Sequence, residues 1–426
     1  MAGDYHNLET EIPPPPSGCP IDHDFSPFST AYLADPYAEL ALRREDTPVF
    51  YSEQLDMVVV TRMEEMNKVF LDNETFSSEN VQDPVFPLAP DTVEILSAPD
   101  FNPVAVMSNR QEPDHSRIRQ YTKLGFSNRR MKVLEPYIRR RSHELIDAMA
   151  AGEHSTDFVA SFAIPLPGDT IFRFIGFPES DDDQLRAWCG ERLAFSWGKP
   201  TPEQQADIAT KMLAYWRYCR QFTANKLENK ADDFASELLT DHQEHPDDLT
   251  YREVESIIYG LSFAGHEPVT LMLCNILLCL LPRREEWGRI CADPSLIPAA
   301  IEEVIRYESP QIGWRRVATR DTRIGDVDVP QGTRIFLSLG AANHQPDHFS
   351  DPTIYDIDRP NARNNISFGK GAHYCLGAKM ARFEAKVAME VITERLPSLR
   401  LVESQQLDRI ANVSFRGPTS LAIEWD

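Results

Sequence analysis

In the stretch "NNISFGKGAHYCLGAKMARFEAK", residues 364 to 386, Cys375 follows Gly369 and Gly371 and leads into a helix-forming run expected over 375–394. A sulfur at a helix start lies near unpaired backbone N–H groups and the positive end of the helix dipole, which together favour thiolate over thiol. An ordinary cysteine, with a pKa of about 8.5, is mostly protonated at neutral pH. The glycines permit a tight turn that aims N–H groups at the sulfur, and Gly377 leaves room for a flat object against the helix. Such a residue can be a nucleophile or an inert core thiol, and its position alone does not choose between them.

The neighbouring spacing does. "FGKGAHYCLGAKMAR" resembles the haem-binding signature of the cytochrome P450 family, in which Phe, Gly, Gly, His or Arg, Cys and Gly recur in this order; here they are Phe368, Gly369, Gly371, His373, Cys375 and Gly377. The resemblance implies haem b ligated through Cys375 and a mainly α P450 fold. That fold is one large helical domain with small β-sheets over residues 31–426, after an irregular arm over 1–30. "EEVIR" supplies Glu303 and Arg306, which by resemblance join Arg359 of "DIDRPNA" in a buried ion network behind the haem. Taken alone, an i, i+3 pair reads as an exposed helix salt bridge worth only a few tenths of a kcal/mol. "EPDHSRIRQ" offers His115 and Arg119 to a haem propionate, and "WRRVATRD" offers Arg316, with Arg315 as the adjacent alternative. His373 is a further candidate, because two carboxylates are costly to bury unless cations or N–H donors meet them.

"SFAGHEPVT" fits the helix that crosses the oxygen-binding face. A thiolate ligand favours scission of dioxygen over its reversible storage, so oxidation of unactivated C–H bonds is the expected chemistry. Most of the family carries an acid followed by threonine on this helix; here the acid is Glu267 and the next position holds Pro268. Proline in a helix costs about 3 kcal/mol relative to alanine and removes the bond to the carbonyl of Ala264. With Gly265 nearby, the helix is expected to open or kink beside the iron. Thr270 lies about 200° around the helix from Pro268 and cannot replace the missing hydroxyl. Protons then come from Glu267, His266, water or a hydroxyl on the substrate.

The acid-proline pair and the ending "FRGPTSLAIEW" resemble a bacterial subgroup that includes guaiacol-type aromatic O-demethylases. This implies a small aromatic substrate walled by Phe263, Ala264, Trp314, Phe415 and the loop at 104–107. Rival readings are a peroxide-driven peroxygenase, a natural-product tailoring hydroxylase and a non-catalytic haem sensor.

Around these residues the sequence reads as mostly helical over 115–294, with breaks at "IPLPGD", "GFPES" and "EHPDD". Strands are expected after Val49, after Thr322 and in the 398–426 tail, and a long loop with room for one helical turn over 77–112. The formal charge of −23 excludes nucleic acid and anionic membranes as natural partners. The longest apolar run, Leu271 to Leu281, is too short to span a bilayer, and no secretory signal is evident, so a cytoplasmic protein is expected. Seven irregularly spaced cysteines form no disulfide or zinc pattern. Residues 110–141 hold ten Arg or Lys, which together with Lys370 and Lys379 could dock an acidic ferredoxin or flavodoxin. A separate donor is expected because only the 396–426 tail follows the cysteine helix.

Overall fold

Side-chain caps and prolines set where the helices start. Asp35 accepts hydrogen bonds from the N–H groups of Tyr37 and Ala38, and Pro36 opens the Pro36–Asp46 helix, where its missing N–H costs nothing. Thr250 and Glu253 cap each other reciprocally at the head of a 30-residue helix, Tyr251–Leu280. This central helix packs against the Pro165–Ile175, Pro202–Glu228, Phe234–Glu244, Ile297–Tyr307 and Ala378–Arg395 helices. By length and composition it could cross a membrane, more than its apolar run alone indicates, yet 72% of its most apolar window is buried inside the protein.

The computed structural model describes residues 14–152 and 154–426, and it is 55% helical, a mainly α fold with small sheets. In chain order the strands are β1 (Val49–Ser52), β2 (Met57–Val60), β3 (Phe76–Ser77), β4 (Ser155–Asp157), β5 (Trp314–Ala318), β6 (Thr322–Ile324), β7 (Val327–Val329), β8 (Arg334–Leu337), β9 (Arg400–Leu401) and β10 (Ala422–Glu424). The main sheet runs β1-β2-β8-β5-β3; β10 lies between β4 and β9, and β6 pairs with β7. The sheet is antiparallel except for β2 against β8, which is parallel. Within the N-terminal segment, Phe25 is 1% exposed and packs edge-on against Phe50 and Tyr32, so residues 14–29, though irregular, are held on β1.

Several expectations are corrected. "IPLPGD" breaks the helical run only at Ile164, between Ala163 and Pro165; its prolines occupy the first turn of the Pro165–Ile175 helix, where a donor is dispensable. The 77–112 loop holds more than one helical turn, a 3-10 turn at Glu79–Gln82 and a helix at Pro90–Leu96. The tail is mostly irregular, with β9 and β10 as its strands. The central helix stays continuous through Pro268. Gly265 does not serve to open it: a Cβ there would lie 2.6 Å from Ile171 Cγ1, so this glycine lets two helices approach closely.

Gly265→Ala is therefore expected to destabilise the protein by about 1–2 kcal/mol despite alanine's better helix propensity. Adding Ile171→Val should recover part of the loss, with denaturant unfolding of the single and double variants as the check.

Candidate active site

The Phe368–Gly377 loop folds back on itself. Cys375 N–H donates to the Phe368 carbonyl at 3.0 Å, and Gly369 and Gly371 have φ of 70° and 72°, a region that disfavours other residues. A Cβ on Gly371 would also lie 2.6 Å from the Phe70 carbonyl oxygen. The following helix begins at Ala378, three residues later than expected. The accessible surface of Cys375 opens into a cavity rather than to bulk water. Burial pushes its thiol pKa up, outweighing the N–H groups of Gly377 and Ala378 and the guanidiniums of Arg119 and Arg382, which favour thiolate. The loop alone therefore does not produce the expected thiolate; a coordinated metal removes that proton outright.

The cavity, about 370 Å³, is lined by Cys375, Phe368, Gly377 and Arg119 at the loop and by Phe263, Ala264, Gly265 and Pro268 on the central helix. Its aromatic walls include Trp314, Phe415, Trp197 and Tyr259. Trp197 stacks on Trp314 at 5.2 Å and meets Phe415 edge-on at 6.1 Å. Trp197 carries no motif; only tertiary packing brings it here.

Two arginines leave β5, and their environments differ. Arg315 donates to the carbonyls of Val81 and Asp83 and lies 3.8 Å over Trp197. Arg316 is 0% exposed. It donates to the Arg315 carbonyl at 2.7 Å and sits over Phe70, while its Nε and Nη2 have no partner among the described residues. Burial lowers its pKa to about 9. His115 pairs through Nδ1 with Glu112 at 2.9 Å and leaves Nε2 unpartnered. Arg119 donates to the Tyr374 carbonyl at 2.6 Å.

Orphaned donors beside a cavity with a cysteine in its wall fit a haem: Cys375 would ligate the iron, and Arg316, Arg119 and His115 would meet the propionates. His373 lines the cavity but fits that role poorly. Burial and neighbouring positive groups push its pKa down to about 3. Its ring nitrogens face the Met107 carbonyl and Ser78 Oγ, so the neutral ring has no N–H left for a propionate.

Arg316→Met is expected to stabilise the haem-free chain, because it removes a buried charge without a counter-ion. It should also weaken haem binding by about 2 kcal/mol, roughly 30-fold. Haem transfer to an apo-acceptor and unfolding of the haem-free protein check the two halves.

On the central helix, Ala264, Gly265 and Pro268 line the cavity, whereas His266 and Glu267 do not. His266 Nε2 donates to the Ile164 carbonyl at 3.0 Å, and burial lowers its pKa to about 4, so it is a neutral tether and not the expected proton source. Thr270 Oγ1 donates back to the His266 carbonyl at 3.2 Å, turned away as expected. Glu267 Oε2 accepts the Leu193 N–H at 3.1 Å and so ties the central helix to the short Arg192–Trp197 helix. Burial raises its pKa from 4.5 to about 8. The stability that this neutral carboxyl contributes is complete below its unfolded value and lost as pH rises through about 8. Glu267→Gln, which cannot ionise, should flatten that part of the stability profile, as read by denaturant unfolding from about pH 5 to about pH 9.

Much of the 110–141 basic charge is consumed internally. Arg110 and Arg117 pair with Glu253, Arg130 with Glu237, Arg139 with Glu390 and Arg141 with Asp169. Lys123, Lys132, Lys370 and Lys379 are exposed, and Arg129 is 74% exposed. They share this face with exposed Leu124 and Val133.

The cytochrome P450 family model matches residues 292–409. Cytochrome P450 107B1 of Saccharopolyspora erythraea is 32% identical over 386 residues, 89% of this chain and 92% of that protein. Mycinamicin IV hydroxylase/epoxidase of Micromonospora griseorubida is 34% identical over 317 residues, 74% of this chain and 78% of that protein. The solved structure of cytochrome P450 CREJ in complex with (4-ethylphenyl) dihydrogen phosphate has a TM-score of 0.90 and 36% identity, and the match covers 95% of this chain and 100% of that one. Shared identity along nearly the whole chain, with a cysteine loop and orphaned cations around one cavity, means that the chain belongs to the cytochrome P450 family and is a haem-dependent monooxygenase.

Proposed function

We propose that the protein inserts one oxygen atom into a small aromatic substrate, by hydroxylation or by O-demethylation of a methoxy group, with haem b as its cofactor. The observation that carries this reading is the aromatic lining of the cavity, in which Trp197, Trp314 and Phe415 pack together and Phe263 lies with Tyr259. Flat rings stack and meet edge-on there without needing polar partners. The relative solved with a 4-ethylphenyl phosphate supports the aromatic class.

Haem, when bound, supplies the redox chemistry with dioxygen. The chain's own residues orient it through Arg316, Arg119 and His115 and exclude water with apolar walls. Ala264 and Pro268 face the reacting space. Glu267 stores a proton on a carboxyl that is largely neutral below about pH 8, one position from Pro268, while His266 fixes the helix to Ile164. Electrons arrive from a cytoplasmic ferredoxin or flavodoxin-type protein docking on the exposed Lys123, Arg129, Lys132, Lys370 and Lys379, with Leu124 and Val133 as apolar contacts.

In the test, the reduced carbon monoxide complex should show the thiolate-type Soret band, lost in Cys375→Ser with the fold retained by circular dichroism. Methoxybenzenes and alkylphenols should shift the ferric spin state, with formaldehyde released from the former under a reductase system. Silence toward every methoxyarene and alkylphenol overturns the aromatic assignment.

A further inference from the structure

Arg192 lines the cavity and forms no ion pair among the described residues. It lines the cavity on the Arg192–Trp197 helix, together with Leu193, Ser196 and Trp197. Its Nη2 donates to the Gln82 carbonyl at 3.4 Å, its Nη1 lies 3.8 Å from the Met212 sulfur, and its guanidinium rests 5.3 Å from the Phe195 ring centre. These are weak contacts. The ion pairs found among the described residues include none to Arg192.

The surroundings sharpen the contrast. Among the described residues lining the cavity the one carboxyl is Glu384, and burial holds its pKa far above the carboxylate range. The acids whose fields reach Arg192 from neighbouring elements are Asp83 and Glu267. Burial raises both their pKa values, and neither forms an ion pair with Arg192 among the described residues. Polar groups converge beside the guanidinium. Gln82 donates through Nε2 to Ser108 Oγ at 2.7 Å, and Ser196 Oγ donates to the Gln82 carbonyl at 3.1 Å. A chain with a formal charge of −23 has spare carboxylates for its arginines, yet this one faces the cavity without any.

We infer that the substrate carries an oxyanion, a carboxylate or a phosphate monoester, and that Arg192 receives it, with Gln82, Ser108 and Ser196 as neighbouring polar contacts. The inference rests on the monooxygenase reading above and refines its substrate class. Holding the charged end at this wall leaves the uncharged end to the aromatic lining and the face formed by Ala264, Gly265 and Pro268. A guanidinium accommodates either anion through paired N–H donors.

The test uses the haem-loaded protein and isothermal calorimetry, so that binding is read whether or not the spin state moves. The matched probes are 4-methoxybenzoate against 4-methoxybenzamide, 4-methoxyphenyl phosphate against 4-methoxyphenol, and decanoate against decanol. At least one oxyanion should bind about tenfold or more tighter than its neutral partner, and the two aromatic arms separate carboxylate from phosphate. Arg192→Met should collapse that ratio to about twofold or less, while Arg192→Lys, which keeps the charge, should retain part of it.

Equal binding of charged and neutral partners, no saturable oxyanion binding, or an unchanged ratio in Arg192→Met overturns the inference and leaves the aromatic reading standing. Preference for decanoate with silence from every aromatic probe supports the oxyanion site and overturns the aromatic reading instead.

Discussion

Burying a guanidinium costs several kcal/mol unless an anion and a full set of acceptors meet it. At Arg316 the chain supplies one backbone carbonyl and the face of Phe70, and leaves two nitrogens, Nε and Nη2, without a partner among the described residues. The 66 acidic residues against 43 basic ones show that carboxylates are not scarce. A bound haem, which carries two carboxylates, would supply the missing charge. The energy of closing this site is therefore shared between polypeptide and cofactor, and β5 holds its cation ready at the chain's expense.

The neighbouring network is the opposite case. Glu303 and Arg306 are 0% exposed; Arg306 donates to both Glu303 oxygens, at 2.6 and 2.8 Å, and to the carbonyls of Asn343, Pro352 and Ile354. Arg359 adds a bond to Glu303 and reaches the carbonyls of Ser350, Asp351 and Ile354. With its donors met, this cluster pins 343–359 against the Ile297–Tyr307 helix. Asn343 then accepts the Ile366 N–H and donates to Ser367 Oγ, which itself donates to the Ile305 carbonyl. The ion network thus sets the entry of the loop that carries Cys375, which a surface i, i+3 pair could not do.

The cysteine loop was legible because its glycines, cysteine and aromatic are adjacent in sequence and forced by backbone geometry. The strands after Val49 and Thr322 were legible from short apolar runs bounded by turns. Features set by a distant partner were not. The choice of Arg316 over Arg315 depends on where β5 sends successive side chains, one to the carbonyls of Val81 and Asp83 and the other to a dry position over Phe70. The prolines of "IPLPGD" resemble a break until they are seen in a first turn. The basic run over 110–141 resembles a docking face, but Glu253, Glu237 and Glu390, far away in sequence, claim several of its arginines. The thiol at Cys375 is governed by burial as well as by the N–H groups that the local sequence foretells.

The central helix shows why a linear motif underdescribes such a site. Consecutive residues point about 100° apart, so 265 to 268 serve different neighbours: Gly265 admits Ile171, His266 binds Ile164, Glu267 holds Leu193, and Pro268 faces the cavity. Glu267 thereby joins the helix beside the haem space to the wall that carries Arg192, whose charge lowers the Glu267 pKa. An oxyanion on Arg192 would cancel that influence and raise the pKa further. By reciprocity a neutral Glu267 favours the bound oxyanion. Substrate charge and the stored proton are then coupled across one short helix, without a hydroxyl at position 268 to mediate between them.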